Sequence, residues 1–451
     1  MRQQTLSRRR FLQFTAGAAG LAALSACAAP APSGGGSSSG GDAPAVEVTT
    51  ISLGLTWDAT FQKHQGTFND NFMEAHPEIE LDTQYNTWAD HNNIVPTWAA
   101  ADTLPDIIYV HGSRAFPWAF EGISISIQDF VDSDEEFNVA GVWEESLRLY
   151  RFQGEQHGIP YDHGPMLIGY NKDIFDAAGM DYPDETWDMN KFREVANELT
   201  NLDGDQPQWG YTAENPAFGG TSGPSTLGGW GAQLLNDDEN QLLLDTDEAR
   251  EAVQFWVDMI HVDKCAPTPA ESEAFEQGPW LSGQIAMANV PSWETPSLTQ
   301  FASFGWDVAP WPTGPVARVT GSFGSGFSIT NDSTEVDASW AFMREYLSEE
   351  GMSFVWGSSG RGSPAREASY ASWMDSENAP EHANYYLEAL SDYAVTARPY
   401  QTLAAAELND IISRQVTLLK NGDTDATSAI AAIVQEGQPV LDEGWERLQA
   451  G

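Results

Sequence analysis

Trp57-Asp58 and Trp293-Glu294 each set a tryptophan directly before a carboxylate, and a further aromatic pair, Trp209 and Tyr211, brackets a glycine just ahead of Glu214. Trp230 follows the glycine pair Gly228-Gly229. Flat aromatic faces beside carboxylates suit a ligand with apolar ring faces and hydroxyl edges, because the rings cover the C–H patches and the carboxylates accept hydrogen bonds from the hydroxyls. A sugar has that shape. The glycines at 219–220 and 228–229 would let backbone approach such a ligand closely.

Catalysis has less to build on. The chain carries no H-E-x-x-H, no phosphate-cradling G-x-x-x-x-G-K-[ST] and no Cys/His metal set, since its two cysteines are Cys27 and Cys265. Glycoside hydrolysis needs two carboxylates flanking one bond. With Asp+Glu at 66, carboxylate pairs are everywhere and their abundance decides nothing. The expectation is a binding protein rather than an enzyme, with no cofactor and no metal. The run Asn201-Leu202-Asp203-Gly204-Asp205 lacks the later Glu of an EF-hand and reads as a turn. His111 and His157 read as ordinary structural histidines, and Asp106 as a cap of the loop after Pro105.

The elements that must position these residues alternate in type. Residues 46–55 and 79–85 read as strands, and 106–110 is a compact apolar run in the manner of a buried parallel strand. Phe61, Phe68 and Phe72 recur at helical spacing before Pro77. Phe192, Val195, Ala196 and Leu199, then Val253, Trp256, Val257 and Ile260, each follow the i, i+3, i+4, i+7 pattern of an amphipathic helix. Further helices are expected at 338–347 and at 408–419, the latter stopped by Gly422. The alternation predicts an α/β protein with parallel sheets covered by helices. Trp187 and Trp256 are expected in the core. Ligand-binding side chains are expected in loops after strands, at the carboxyl ends of open α/β sheets.

A formal charge of −45, spread along the chain, repels phosphate backbones and anionic lipid head groups and excludes nucleic-acid binding. The chain starts with Arg8-Arg9-Arg10-Phe11-Leu12, followed by a short, small-residue apolar stretch too brief to span a bilayer. It resembles a twin-arginine export signal, and Leu24-Ser25-Ala26-Cys27 resembles a bacterial lipobox whose cysteine is acylated. Residues 28–45 are Ala/Pro/Gly/Ser-rich and predict a flexible leash. Signal, leash and body describe a protein held outside the cytoplasmic membrane by an N-terminal lipid.

Four stretches then follow in a telling order. They are Leu104-Pro105-Asp106-Ile107-Ile108-Tyr109; Gly154 to Pro160, with Tyr170-Asn171-Lys172-Asp173-Ile174-Phe175 and Thr186-Trp187-Asp188; residues 275–287; and residues 321–330 with 360–366. Together they resemble the family 1 extracellular solute-binding proteins of ABC importers, the group that includes the maltodextrin-binding proteins. His157 stands where that family usually has an aromatic. The resemblance implies the two-lobed, type II periplasmic-binding-protein fold, with a hinge and an interlobe ligand cleft. Its crossings would fall near residues 159–160, 308–309 and 329–331. The N-terminal lobe would then hold 46–160 and 309–330, and the C-terminal lobe 161–308 and 331–451, after a signal at 1–27 and a linker at 28–45. By the same resemblance Arg114, Asp162, His163, Gly321, Ser322 and Arg361 join Trp57, Asp58, Trp209, Tyr211, Glu214, Trp230, Trp293 and Glu294 around the ligand. The implied function is capture of a sugar or oligosaccharide by a monomer and its delivery to the transmembrane permease subunits of an ABC importer. A polyamine, a peptide or a phosphorylated polyol are alternative ligands, and an extracellular carbohydrate-active enzyme is the rival from another class.

Overall fold

The computed structural model describes residues 48–450 except 58, 205, 213, 220–221 and 397–400. The signal, the linker, Cys27 and Asp58 therefore lie outside the described residues. In chain order the strands are β1 (Thr49–Leu55), β2 (Ile79–Tyr85), β3 (Ile107–His111), β4 (Arg151–Phe152), β5 (Glu155–Gln156), β6 (Ile159–Pro160), β7 (Gly164–Asn171), β8 (Trp209–Tyr211), β9 (Ile285–Pro291), β10 (Trp306–Ala309), β11 (Thr320–Phe323), β12 (Ser325–Ile329) and β13 (Ala394–Thr396).

Two larger sheets organise the body. The first has the order β2-β1-β3-β12-β6, and the second β13-β11-β7-β9-β8, with β10 also pairing β7. Both are mixed rather than parallel. β1 runs parallel to β2 and β3, but β12 lies antiparallel to β3 and β6. β7 is antiparallel to β9, β10 and β11. A single residue, Gly324, joins β11 of the second sheet to β12 of the first, so the chain passes between the sheets there with no crossover helix.

Each sheet is covered on both faces, as the alternation of side chains along a strand requires. Ile107 and Tyr109 of β3 pack into one cluster, Ile108 and Val110 into another. Ile168 and Tyr170 of β7 likewise face one core and Leu167 the opposite one. The expected amphipathic helices form at Met189–Glu198 and Asp247–His261, capped by Asp188 and Thr246, whose side chains accept from the backbone N–H groups of Lys191 and Ala249. Their apolar stripes, with Trp187 and Trp256, are buried in the second core.

The lobe boundaries differ from those expected. β10 and β11 belong to the second sheet, so the segment from 309 to 323 lies with the C-terminal lobe. Conversely, the helix Val336–Tyr346 turns Trp340, Phe342, Met343 and Tyr346 into the first core, where Phe342 and Tyr346 meet Phe68 edge to face, and this packing continues through Trp356 and Ala365. Tyr370 and Trp373 then return to the second lobe, in the core on the Leu167 face of its sheet. The chain thus crosses at 160–164, at Gly324 and between Ala365 and Tyr370.

Candidate functional site

The three crossings meet at Asp162. Its Oδ1 accepts from the Ser325 backbone N–H at 2.5 Å, and its backbone forms a bridge with Pro364. Nearby, Tyr161 N–H donates to Ser325 O at 2.9 Å, Ala365 N–H to Tyr161 O at 3.0 Å, and His163 N–H to Ser363 O at 3.2 Å. Gly324 is obligatory here, since a Cβ would stand 2.2 Å from the carbonyl oxygen of Asp162.

Beside this junction a cavity of about 310 Å³ opens between the lobes. The first lobe contributes the carboxyl ends of its strands: Thr56 and Trp57 after β1, Trp88 after β2, Tyr109 and His111 on β3. The second lobe contributes Trp293 after β9 and Phe323 on β11. Tyr161, Asp162, Gly324, Ser325, Trp356 and Arg361 complete it from the crossing segments and the helical stretch before the third. A second concavity of about 440 Å³ shares Thr56, Trp57, Trp88 and Arg361 and extends over Gln62, Tyr85, Asn86 and Thr87.

The aromatic walls are held rather than loose. Trp57 packs edge-on against Phe61, Tyr109, Tyr161 and Trp356, and its indole N–H donates to Gln65 Oε1 at 3.0 Å. Trp88 is the open face: 53% exposed, it is fixed by its indole N–H donating to Tyr109 Oη at 3.1 Å, which in turn lies 3.1 Å from Ser325 Oγ. An exposed indole pinned by one hydrogen bond is a stacking platform available without rearrangement.

The charged groups are few and poorly solvated. Burial, outweighing the Ser325 N–H and the Arg361 charge, pushes the Asp162 carboxyl up to about 7. Arg361 reaches across the junction to donate from Nη1 to the Trp293 carbonyl at 3.1 Å, with its guanidinium over the rings of Phe61 and Trp356. Its buried Nε has no hydrogen-bond partner among the described residues. Burial, helped by the Arg114 charge, pushes His111 down to about 3, so that ring is neutral.

Of the residues read from the sequence, the structure brings Trp57, Asp162, Trp293 and Arg361 together. Arg114 lies in the first turn of the helix Gly112–Phe120 and is not among the lining residues, though its charge bears on His111. His163 is buried against Ser363, and Gly321 and Ser322 lie inside β11 just before the lining residue Phe323. Trp209, Tyr211 and Trp230 are placed elsewhere, in the second-lobe core. Trp209 meets Phe275 edge-on, Tyr211 donates its hydroxyl to Asn289 Oδ1 at 2.6 Å, and Trp230 packs 5.1 Å from Phe255. Glu214 and Glu294 face a separate cavity. Asp106 accepts from Ser52 N–H and Oγ–H and from Ser333 Oγ–H, a structural cap. Sequence reasoning missed Trp88, Tyr109, Tyr161 and Trp356. Trp88 carried a usable signal, for it follows β2 as Trp57 follows β1.

One trio, Asp307, Glu381 and His382, gathers metal-type ligand atoms within 4.8 Å. The Lys172 ammonium already stands there, 2.8 Å from Glu381 and 3.5 Å from Asp307, and His382 Nδ1 lies 2.6 Å from Asp307. A fixed cation in that position repels a metal.

Residues 51–353 match the pattern of the bacterial extracellular solute-binding proteins. The chain belongs to that family. This solute-binding protein is 28% identical over 235 residues to the arabinooligosaccharide-binding protein of Halalkalibacterium halodurans, a stretch covering 50% of the chain and 49% of that relative. It is 25% identical over 138 residues to the lactose-binding protein of Rhizobium radiobacter, covering 29% and 31%. The chain thus spans about half, or less, of the length of these curated relatives. Among solved structures it is similar to an ABC substrate-binding protein of Listeria monocytogenes in complex with cycloalternan, with TM-score 0.78, 20% identity, and coverage of 88% of this chain and 99% of the other. It is also similar to the sugar-binding protein MalE of Xanthomonas citri, with TM-score 0.72, 18% identity, and coverage of 89% and 100%. These likenesses establish the two-lobed α/β fold of the solute-binding protein. No helix among its described residues is long and apolar enough to cross a membrane.

Proposed function

We propose that this protein captures a sugar or short oligosaccharide between its lobes and delivers it to the permease subunits of an ABC importer. The observation that carries the reading is the interlobe cavity itself. Aromatic side chains from both lobes, Trp57 and Trp88 on one side and Trp293 on the other, line it together with one carboxyl, Asp162, and one guanidinium, Arg361, at the point where the chain crosses. The sugars bound by the relatives and structural neighbours support the ligand class. Closure would follow from a ligand touching both lobes, because a ligand shifts an equilibrium only by its differential affinity for the two states. Asp162 is the one carboxylate among the described lining residues of the two concavities, whereas glycoside hydrolysis uses two. The ligand should therefore be returned unchanged.

Calorimetric titration with a panel of neutral arabino-, gluco- and galacto-oligosaccharides tests the reading. Saturable one-to-one binding, weakened in Trp293→Ala, supports it, and no binding by any member would sink it. Cys27 would carry the lipid tether after export. Metabolic fatty-acid labelling should mark the wild type and not Cys27→Ser, and label retained in the variant would remove Cys27 as the anchor.

A further inference from the structure

A larger concavity, about 580 Å³, lies wholly within the second lobe and shares no lining residue with the interlobe cavity. Its walls come from Thr212 and Glu214 after β8, the helix Pro269–Ser272, the turn around Pro279 and Trp280, the start of the helix Thr295–Phe301, and Lys420 near the end of the helix Ala405–Asn421. One side is apolar, with Pro279, Trp280, Leu281 and Leu298. The other carries two carboxylates, Glu214 and Glu294, against one ammonium, Lys420.

That ammonium offsets the charge of Glu214 only in part. Lys420 Nζ donates to the backbone carbonyl of Glu214 at 2.7 Å rather than to either carboxylate. Glu214 Oε2 accepts from the Asn289 N–H at 3.1 Å, and the Glu294 carboxylate has no hydrogen-bond or ion-pair partner among the described residues. Both glutamates are exposed residues that solvent reaches through the cavity, and the surrounding lobe withdraws only part of it. Burial, followed by the charge of Glu294, pushes Glu214 up to about 8, and burial pushes Glu294 up to about 7. Burial pushes Lys420 down to about 8.

We propose that this cavity is a second ligand site, taking a small organic ammonium whose charged end lies between Glu214 and Glu294 and whose carbon chain lies along Trp280, Leu281 and Leu298. A cation there relieves two carboxylates at once, which a neutral sugar does not do. An indole face next to carboxylates favours an organic cation over a hydrated one. A hard divalent ion wants six to eight oxygen ligands, and two carboxylates beside a lysine do not supply them. Trp293 and Glu294 are neighbours in sequence but face different cavities, so the two sites meet back to back at the end of β9.

The test is calorimetric titration of the full chain with 1,5-diaminopentane dihydrochloride at pH 9 and constant ionic strength, where both carboxylates are ionised and the amine is charged. One diamine per chain should bind. Glu294→Gln should weaken binding roughly tenfold or more, the loss of one charged contact, and Glu294→Asp should restore part of it. Three outcomes overturn the proposal. The first is no saturable binding. The second is equal binding by wild type and Glu294→Gln, or a loss in Asp162→Asn instead, which would place the amine in the interlobe cavity. The third is tighter binding of calcium chloride than of the diamine with the same sensitivity to Glu294→Gln.

Discussion

Replacing Asp162 by Asn should make the unliganded protein more stable at pH 8.5, and the gain should fade as the pH falls. Asn keeps an oxygen that can accept from the Ser325 N–H, so the change removes the charge and little else. Burial is the largest influence on this carboxyl and raises it from 3.8 to about 7. Above about 7 the group is ionised in both folded and unfolded chains, and the folded state bears the full cost of holding a poorly solvated charge. Between about 7 and 3.8 the folded state keeps a proton that the unfolded chain releases, so the wild type gains stability as the pH falls through that window. Below 3.8 both states are protonated and the cost is gone. The rise corresponds to at most about 4 kcal/mol. Solvent entering from the cavity reduces the expected difference to about 1–3 kcal/mol. Urea unfolding of both proteins at pH 8.5, 6 and 4 measures it, and comparing the pair cancels the self-repulsion of the acidic surface. A wild type more stable than Asp162→Asn at pH 8.5 would refute the reasoning, for Arg361 and the Ser325 N–H would then outweigh burial.

Trp88→Ala should weaken sugar binding by about 1–3 kcal/mol, the scale of burying one large apolar side chain, while barely moving the melting temperature, because 53% of Trp88 is exposed. Calorimetry and a melting curve on the same sample separate the two effects. Trp230→Ala should do the reverse, lowering stability by about 3–5 kcal/mol as a core cavity forms with affinity per folded molecule unchanged; this is read by urea unfolding beside titration. Gly324→Ala should lower the urea midpoint, since its Cβ meets the Asp162 carbonyl at 2.2 Å. Gly66→Ala, within the helix Ala59–Ala75 and with nothing within 4 Å of the new carbon, should raise stability by about 0.5–1 kcal/mol through helix propensity alone.

The α/β alternation and the main helices were legible because burial stripes and caps are local. The site was legible where a residue stood directly after a strand, as Trp57 and Trp293 do. The same rule applied to the second strand would have reached Trp88. Trp230 misled because a tryptophan after two glycines looks like a ligand platform, and only the helix Asp247–His261 packed against it shows that it turns inward to Phe255. Trp209 and Tyr211 lie on a short strand whose side chains are buried on both faces, with no polar alternation to mark a cleft side. The lobe boundaries were hidden for a topological reason. The resemblance put 309–330 in one lobe with a crossing near 329–331, yet Gly324 divides residues 320–329 between two sheets. The stripe of Val336–Tyr346 declares an apolar face without saying which sheet it covers.

The central claim, that the interlobe cavity is the capture site, is tested most directly by a crystal structure with the tightest-binding neutral oligosaccharide from the titration panel. The account predicts one sugar ring against Trp57, Trp88 or Trp293, with hydroxyls bonded to Asp162 or Arg361 and both lobes in contact. Sugar bound elsewhere with this cavity filled by solvent, or contact with one lobe alone, would contradict it.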